Sequence, residues 1–382
     1  MSAEPTVPER DAVDEFLGAP QSGWAGGARS ALDYHVAIGG FHGAERDRHL
    51  LLPALQAVQG AIGWVSPGAL NYICERLSVP PAEAHGVASF YALLALEERP
   101  TRVAHVCEDV SCRTRGGREL LAAVAGRHDV VPSPCLGQCD RSPAVLVQRA
   151  GEPDVSLWGA TPQNVIALLA GAPLIDPTPG HYGIPQSERG SGDLRLLCRV
   201  GAIDPYSLSD YCAAGGYEAL KKALEMGPSR IIEEVKQSGI RGRGGAAFPM
   251  GVKWESVTRA AAEPLLVCNA DEAEPGTFKD RGLMEGDPFS LVESMTIAGH
   301  AIGARRGYLY IRGEYPRAAR HVAYASGERR TSAGRPKKKH SNRCRACAAN
   351  RRFQSGRIST ASPCRRTKSC RACRAVSVAS VW

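Results

Sequence analysis

The sequence predicts an α/β protein of two α/β units, preceded by a small helical unit and followed by a basic tail. Strand-like and helix-like runs alternate across residues 101–172 and again across 193–320, the pattern of an α/β fold. Four cysteines, Cys107, Cys112, Cys135 and Cys139, fall at or beside the ends of predicted strands, where α/β folds place their sites. Charge is segregated: residues 321–382 hold 16 Lys and Arg against one acid, Glu328, so +15 of a net +8 lies there and the first 320 residues carry −7.

Residues 1–45 are rich in Gly, Ala and Pro and are expected to be a flexible lead. Residues 46–172 are expected to hold a helical unit and the first α/β domain. In RHLLLPALQAVQGAIG, Leu51, Leu52, Leu55 and Val58 share one helical face. SPGALNYICERL opens with Ser66 as N-cap and Pro67 at the first helical position, and PPAEAHGVASFYALLAL repeats the Pro-led start. TRVAHVC, HDVV and PAVLVQRA read as strands, and GGRELLAAVAG and TPQNVIALLAG as helices. This order fits a thioredoxin-like layout. Residues 173–192 are a Pro- and Gly-rich linker. In the second unit, residues 193–324, LRLLCRV, PLLVCNA and RRGYLYIRG are predicted strands. SLSDYCAAGGYEALKKALEM, SRIIEEVKQSG and DPFSLVESMTIAGHAIGA are predicted helices.

The cysteine spacing is C-x4-C followed by C-x3-C, with the second pair in SPCLGQCDRSP. Thiolates suit iron–sulfur clusters and zinc. Zinc sites more often place two residues between paired ligands, so the gaps of four and three favour iron–sulfur, with zinc or unliganded core cysteines as the alternatives. Thirteen cysteines in a chain without an apolar signal core point to a reducing compartment and to metal binding rather than disulfides. Cys74, Cys198, Cys212 and Cys268 stand alone and read as packing residues.

Two further segments carry chemistry. SGIRGRGGAAFPMGVKW, residues 238–254, places Gly242, Gly244, Gly245 and Gly251 where backbone can approach a ligand closely. Successive amides there can form an anion nest, and Arg241, Arg243 and Lys253 add positive charge. The loop suits a phosphorylated cofactor, with a plain surface loop as the alternative; it matches neither a Walker loop nor a G-x-G-x-x-G turn. LLVCNADEAEPGTFKDRGLM, residues 265–284, delivers Asn269, Asp271, Glu272 and Glu274 from a strand into a Pro-Gly turn. These groups can accept N–H and O–H groups of a flavin, ribitol or nicotinamide; the alternative is a helix cap with solvated acids.

GIRGRGGAAFPMGVKW, CNADEAEPGTFKDR and YLYIRGEYP together resemble the NADH-binding flavoprotein subunit of complex I-type NADH dehydrogenase. GVASFY and the four-cysteine set resemble its thioredoxin-like [2Fe–2S] partner. The two occur fused in diaphorase subunits of NAD-reducing hydrogenases and beta subunits of NAD-dependent formate dehydrogenases. The 22-residue gap between the cysteine pairs looks more like those fused forms. The resemblance covers roughly residues 46–324. It implies FMN and NAD(H) contacts for Gly242, Arg243, Gly244, Gly245, Ala246, Phe248 and Lys253. Phe248 would stack near the nicotinamide or adenine. Asn269, Asp271 and Glu272 would contact the flavin, Glu274 would lie near the NADH site, and Cys107, Cys112, Cys135 and Cys139 would ligate [2Fe–2S]. Ala247 stands where the family usually has Gly. The full-length family also binds [4Fe–4S] through a C-terminal helical domain whose ligand spacing is absent here.

The resemblance implies hydride transfer between NAD(H) and FMN and passage of electrons to iron–sulfur clusters, with no side chain acting as nucleophile. Other subunits of a multi-subunit redox complex are the implied partners, a formate dehydrogenase or a related assembly. The alternative is a non-catalytic remnant that keeps only the [2Fe–2S] domain. No nucleic-acid partner is expected, because no basic face runs over the whole chain. No run of 18 apolar residues is present, so no membrane span is expected, and the acidic, polar N-terminus reads as cytoplasmic. Residues 325–382 contain no Leu and are expected to be disordered or to reflect a shifted reading frame. Their two C-R-A-C pairs, at Cys344 and Cys347 and at Cys370 and Cys373, are near a zinc-ribbon spacing but lack strand patterning between them.

Overall fold

The computed structural model describes residues 3–20, 45–173, 195–243 and 245–327. The predicted linker from residue 174 and the basic tail from 328, with its C-R-A-C pairs, lie outside them.

The chain starts with a helix where a flexible lead was expected. Helix α1 (Val7–Leu17) opens with a Thr6–Glu9 capping box, in which the Glu9 carboxylate accepts the Thr6 amide at 2.7 Å. Such a box satisfies amides that the first turn cannot pair internally. Val13 is fully buried against the helical unit. That contact, more than local propensity, holds a short helix in place. A 3₁₀ turn (Glu45–Leu50) leads into α2 (Leu51–Ile62), followed by α3 (Pro67–Leu77) and α4 (Pro81–Phe90). The Ser66 hydroxyl caps α3, accepting the Ala69 amide at 3.0 Å. Leu55, Val58, Ala69 and Ile73 form the dry centre of this bundle, with Cys74 beside them as a packing residue.

The first α/β domain is a four-stranded sheet in the order β2-β1-β3-β4: β1 (Arg102–Cys107), β2 (Val130–Ser133), β3 (Ala144–Arg149) and β4 (Val155–Trp158). β1 and β2 run parallel, whereas β1–β3 and β3–β4 are antiparallel. β4 is a short VSLW segment that alternation alone did not separate from the loop before it. Helices α5 (Val110–Arg113), α6 (Gly117–Ala123) and α7 (Pro162–Leu169) complete the domain. The thioredoxin-like layout is borne out.

The second unit departs from expectation in two places. Of LRLLCRV, residues 195–200 are described and form bends and turns rather than a strand, with Leu196 67 % exposed. The long helix expected from SLSDYCAAGGYEALKKALEM breaks into α8 (Leu208–Ala213) and α9 (Glu218–Met226). Gly215 (φ 84°) and Tyr217 (φ 65°) turn left-handed at the break. The buried Glu293 carboxylate stabilises it, accepting the amides of Tyr217 and Leu220 at 2.9 Å each and the Tyr211 hydroxyl. The unit continues with α10 (Pro228–Gln237), α11 (Met250–Thr258), β5 (Leu265–Ala270), α12 (Lys279–Gly286), α13 (Pro288–Ile302), β6 (Arg306–Ile311) and α14 (Pro316–Ala325). β5 and β6 pair in parallel, from Leu265 with Arg306 to Ala270 with Ile311. Met284, Met295, Leu309, Ile311 and Val322 make the core beside them.

Candidate functional site

All four sequence-predicted cysteines come together. Cys107 ends β1, Cys112 lies in α5, and Cys135 and Cys139 flank the loop after β2. Their exposures are 2, 2, 5 and 7 %. The Cys107 thiol faces both Cys112 and Cys135, and Cys135 Sγ is 3.3 Å from Cys139 Sγ. Among the described residues no three His, Cys, Asp or Glu converge on a single metal ion. The sulfurs instead form a linked row, two from each pair, which suits two irons better than one zinc.

Their proton affinities diverge. Contact with the Cys107 thiol holds Cys112 and Cys135 below the ordinary range. Hydrogen bonding to Cys112 raises Cys107, and hydrogen bonding to Cys135 raises Cys139. Four adjacent thiolates repel one another, and iron bound among them would supply the positive charge that lets all four ionise. The donor set, its burial and its mutual proximity fit a [2Fe–2S] cluster.

The glycine loop lies between α10 and α11. Its base is closed by the Gly242 amide to the Phe248 carbonyl (2.9 Å) and the Met250 amide to the Ile240 carbonyl (3.0 Å). Ser238, Gly239, Ile240, Arg241, Gly242, Arg243 and Ala247 line an open cleft of about 470 Å³ there. Arg241, Arg243, Gly245, Ala246, Phe248 and Lys253 are exposed at this loop and helix start. Gly245 has φ +95°, and a Cβ on it would meet no atom within 4 Å. An open, cationic, glycine-lined cleft fits a phosphate-bearing group such as FMN. Gly251 has a different job: a Cβ there would stand 2.6 Å from Lys236 Cγ and 2.7 Å from its backbone nitrogen, so it permits α11 to pack on α10. Gly244 lies outside the described residues. Ala247 takes a left-handed φ of 50°, the conformation that glycine adopts without strain.

The acidic loop does not line that cleft; the fold carries it to the cysteines. The Gly276 amide donates to Cys139 Sγ at 3.2 Å. Asn269, Asp271 and Glu274 are exposed, and the Asn269 side chain accepts the Asp271 amide at 3.1 Å. Glu272, expected beside the flavin, is 2 % exposed and caps α12. Its carboxylate accepts the Asp280 amide at 3.0 Å, the Arg281 amide at 3.2 Å and the Tyr315 hydroxyl at 3.3 Å. Unpaired amides and the helix dipole both favour an anion there.

Sequence reasoning missed the residues that join the units. Arg281, fully buried, donates to the Gly137 carbonyl at 3.1 Å and pairs with Asp140 at 2.5 Å and Glu285 at 3.4 Å. Arg312 donates to the Cys135 carbonyl at 2.5 Å and the Glu272 carbonyl at 2.7 Å. Gly137 is obligatory where Tyr315 approaches: a Cβ would stand 2.3 Å from the Tyr315 ring, at φ +67°. Arg281 and Arg312 sit within FKDR and YIRGEYP, so the signal lay in motifs that carried no stated role for them.

Comparison with known proteins divides the chain at the same place. Residues 40–170 match the thioredoxin-like [2Fe–2S] ferredoxin family, and residues 235–360 match the Nuo51 FMN-binding domain, past the boundary expected at 324. An NADH-quinone oxidoreductase subunit of Rhizobium meliloti is 54 % identical over 135 residues, 35 % of this chain and 32 % of the relative. The HndC subunit of the NADP-reducing hydrogenase of Solidesulfovibrio fructosivorans is 50 % identical over 139 residues, 36 % of this chain and 28 % of the relative. The alpha subunit of the NAD-reducing hydrogenase HoxS of Cupriavidus necator is 29 % identical over 299 residues, 70 % of this chain and 46 % of the relative. A crystal structure of an NAD⁺-reducing [NiFe]-hydrogenase in the air-oxidized state superposes with TM-score 0.53 and 27 % identity, covering 72 % of this chain and 48 % of that one. The chain spans less than half the length of each of these relatives. It joins a thioredoxin-like [2Fe–2S] ferredoxin domain to a Nuo51 FMN-binding domain.

Proposed function

We propose that this chain is the electron-input module of an NAD(H)-linked oxidoreductase, working in the cytoplasm as one subunit of a multi-subunit redox complex. The observation that carries the proposal is the direct contact between the cysteine site and the loop of the FMN-binding domain, Gly276 amide to Cys139 Sγ at 3.2 Å. When bound, FMN exchanges hydride with NAD(H) and single electrons with the [2Fe–2S] cluster.

The chain's own residues position these groups. The amides of Arg243 and Gly245, with the side chains of Arg243 and Lys253, would hold the phosphate over a loop base closed by Gly242. Ala246 lines the loop, and Phe248, 53 % exposed, offers a face for a nicotinamide or adenine ring. Asn269, Asp271 and Glu274 accept hydrogen bonds from the bound cofactors, while Glu272 fixes the loop that presents them. Cys107, Cys112, Cys135 and Cys139 would hold the two irons of the cluster. The match of both domains to one hydrogenase chain supports a fused diaphorase subunit, and by extension the beta subunit of an NAD-dependent formate dehydrogenase or a related complex.

The test is cofactor analysis of the anaerobically purified chain. Iron and sulfide at about two each, bound FMN, and NADH-dependent ferricyanide reduction are the expected result. Iron and sulfide without flavin or diaphorase activity would overturn it in favour of a non-catalytic [2Fe–2S] remnant. Co-purification with a molybdopterin subunit rather than a nickel–iron subunit would identify the formate dehydrogenase type.

A further inference from the structure

We infer that the second α/β unit sets the reduction potential of the cluster, and that Arg312 is the positioning residue through which it does so. The inference rests on the reading that the four cysteines hold [2Fe–2S].

Contacts from the second unit converge on the second cysteine pair. Within its own domain, Cys135 Sγ receives the Gly137 amide at 3.4 Å. Cys139 Sγ receives the Gly276 amide from the other unit at 3.2 Å. A hydrogen bond to a ligand sulfur, like nearby positive charge, stabilises the more negative, reduced cluster and so raises its potential.

The Gly276 amide is aimed by a contact remote in sequence. It sits in a Pro-Gly turn with φ +88°, and both Pro275 and Gly276 are exposed. On its upstream side the turn is tied down at Glu272, whose carboxylate is held on the start of α12 and whose carbonyl is held by the fork of Arg312, the tie that reaches across to the cysteine loop. One arm donates to the Glu272 carbonyl at 2.7 Å and the other to the Cys135 carbonyl at 2.5 Å. The guanidinium is 8 % exposed and lies 5.2 Å from the Tyr315 ring centroid. It thus pins the loop carrying Gly276 to the loop carrying Cys135 and Cys139. Glu314, 3.0 Å from Arg312 Nε, offsets part of the charge and leaves placement of the amide as the larger effect. Docking of the two units has a separate anchor, Arg281 with Asp140 and Gly137. Arg312 can therefore be altered without undoing the interface.

The experiment uses the full chain, loaded anaerobically with iron and sulfide and titrated with dithionite against redox mediators, with the electron paramagnetic resonance of the reduced cluster as readout. One electron from dithionite enters each cluster, and no covalent bond changes. Arg312→Lys keeps the charge and loses the fork; Arg312→Gln loses both. A fork is not reproduced by an ammonium point charge. Both variants should lower the reduced-to-oxidised ratio at fixed potential about tenfold, or about 59 mV for one electron. A wild-type midpoint in Arg312→Lys would overturn the inference. Should the Arg312 variants not retain a cluster, Glu314→Gln decides. It keeps the fork and removes only a neighbouring charge, so the midpoint should stay well within about 59 mV of wild type; a shift of about 59 mV or more would make charge rather than placement the route and overturn the inference. Absence of any reduced-cluster signal in the wild type would instead sink the four-cysteine reading, a separate failure.

Discussion

Arg281→Leu tests whether a buried charge cluster joins the two units. Arg281 is fully buried with Glu285 (side chain 1 % exposed), Asp140 (10 %) and Arg141 (3 %). The four charges sum to zero. Removing Arg281 leaves a net negative charge in a dry interface and strips the Gly137 carbonyl of its donor. Breaking a buried pair from one side costs about 3–5 kcal/mol. Arg141, 3.3 Å from Asp140 and 3.8 Å from Glu285, still compensates part of the charge, so the lower end, about 3 kcal/mol, is expected. For a cooperative unit of this size that is about 6–12 °C in Tm. Urea unfolding followed by circular dichroism measures it. The variant should unfold at lower urea, and the double variant Arg281→Leu/Glu285→Leu should lose less than the single one, because it buries no unmatched carboxylate. A single variant within about 1 kcal/mol of wild type, or strictly additive losses in the double, would refute the reasoning.

Other outcomes follow from particular residues. Ala247→Gly removes a left-handed φ of 50°, worth about 1–2 kcal/mol for an L-residue and partly offset by glycine's greater unfolded entropy. A net gain of about 0.5–1 kcal/mol in urea unfolding, with FMN binding at least as tight, is expected. Lys253→Ala should weaken FMN binding about tenfold in a fluorescence titration, the scale of one charge-assisted hydrogen bond; undiminished flavin retention would count against its phosphate role. Stability should fall on acidification. Burial pushes His105 and His321 down from 6.5 to about 4, so unfolding takes up protons between those values and Tm drops as pH falls through that window. Asp154, raised to about 6 by burial, works the other way below pH 6, because its folded form holds the proton more tightly. Asp271 and Asp287 are raised by burial too, so the loss is expected first, as pH falls from 6.5 to 6 and the imidazoles act before Asp154; a Tm flat or rising over that interval would contradict it.

Much of this protein was legible in its residues. The cysteine spacing singled out four residues that the fold does bring together. Pro-led helix starts and the Ser66 cap fixed the helical unit because capping is a local interaction. Glycines with basic neighbours marked a loop that does line an open cleft. Readings failed where distant contacts decide. Helix α1 forms because Val13 is buried on a bundle about forty residues downstream, LRLLCRV has no strand partner among the described residues, and Glu293 breaks a helix from more than seventy residues away. The sequence alone determined which groups the chain can bring to a site: four thiols, a glycine-rich basic loop and an acidic loop. Only the tertiary structure decided their arrangement. It turned Glu272 onto a helix start, and it used Arg281, Arg312 and Gly276 to seat the acidic loop on the second cysteine pair. No local pattern encodes those contacts, because each pairs groups that become neighbours only once both units have folded.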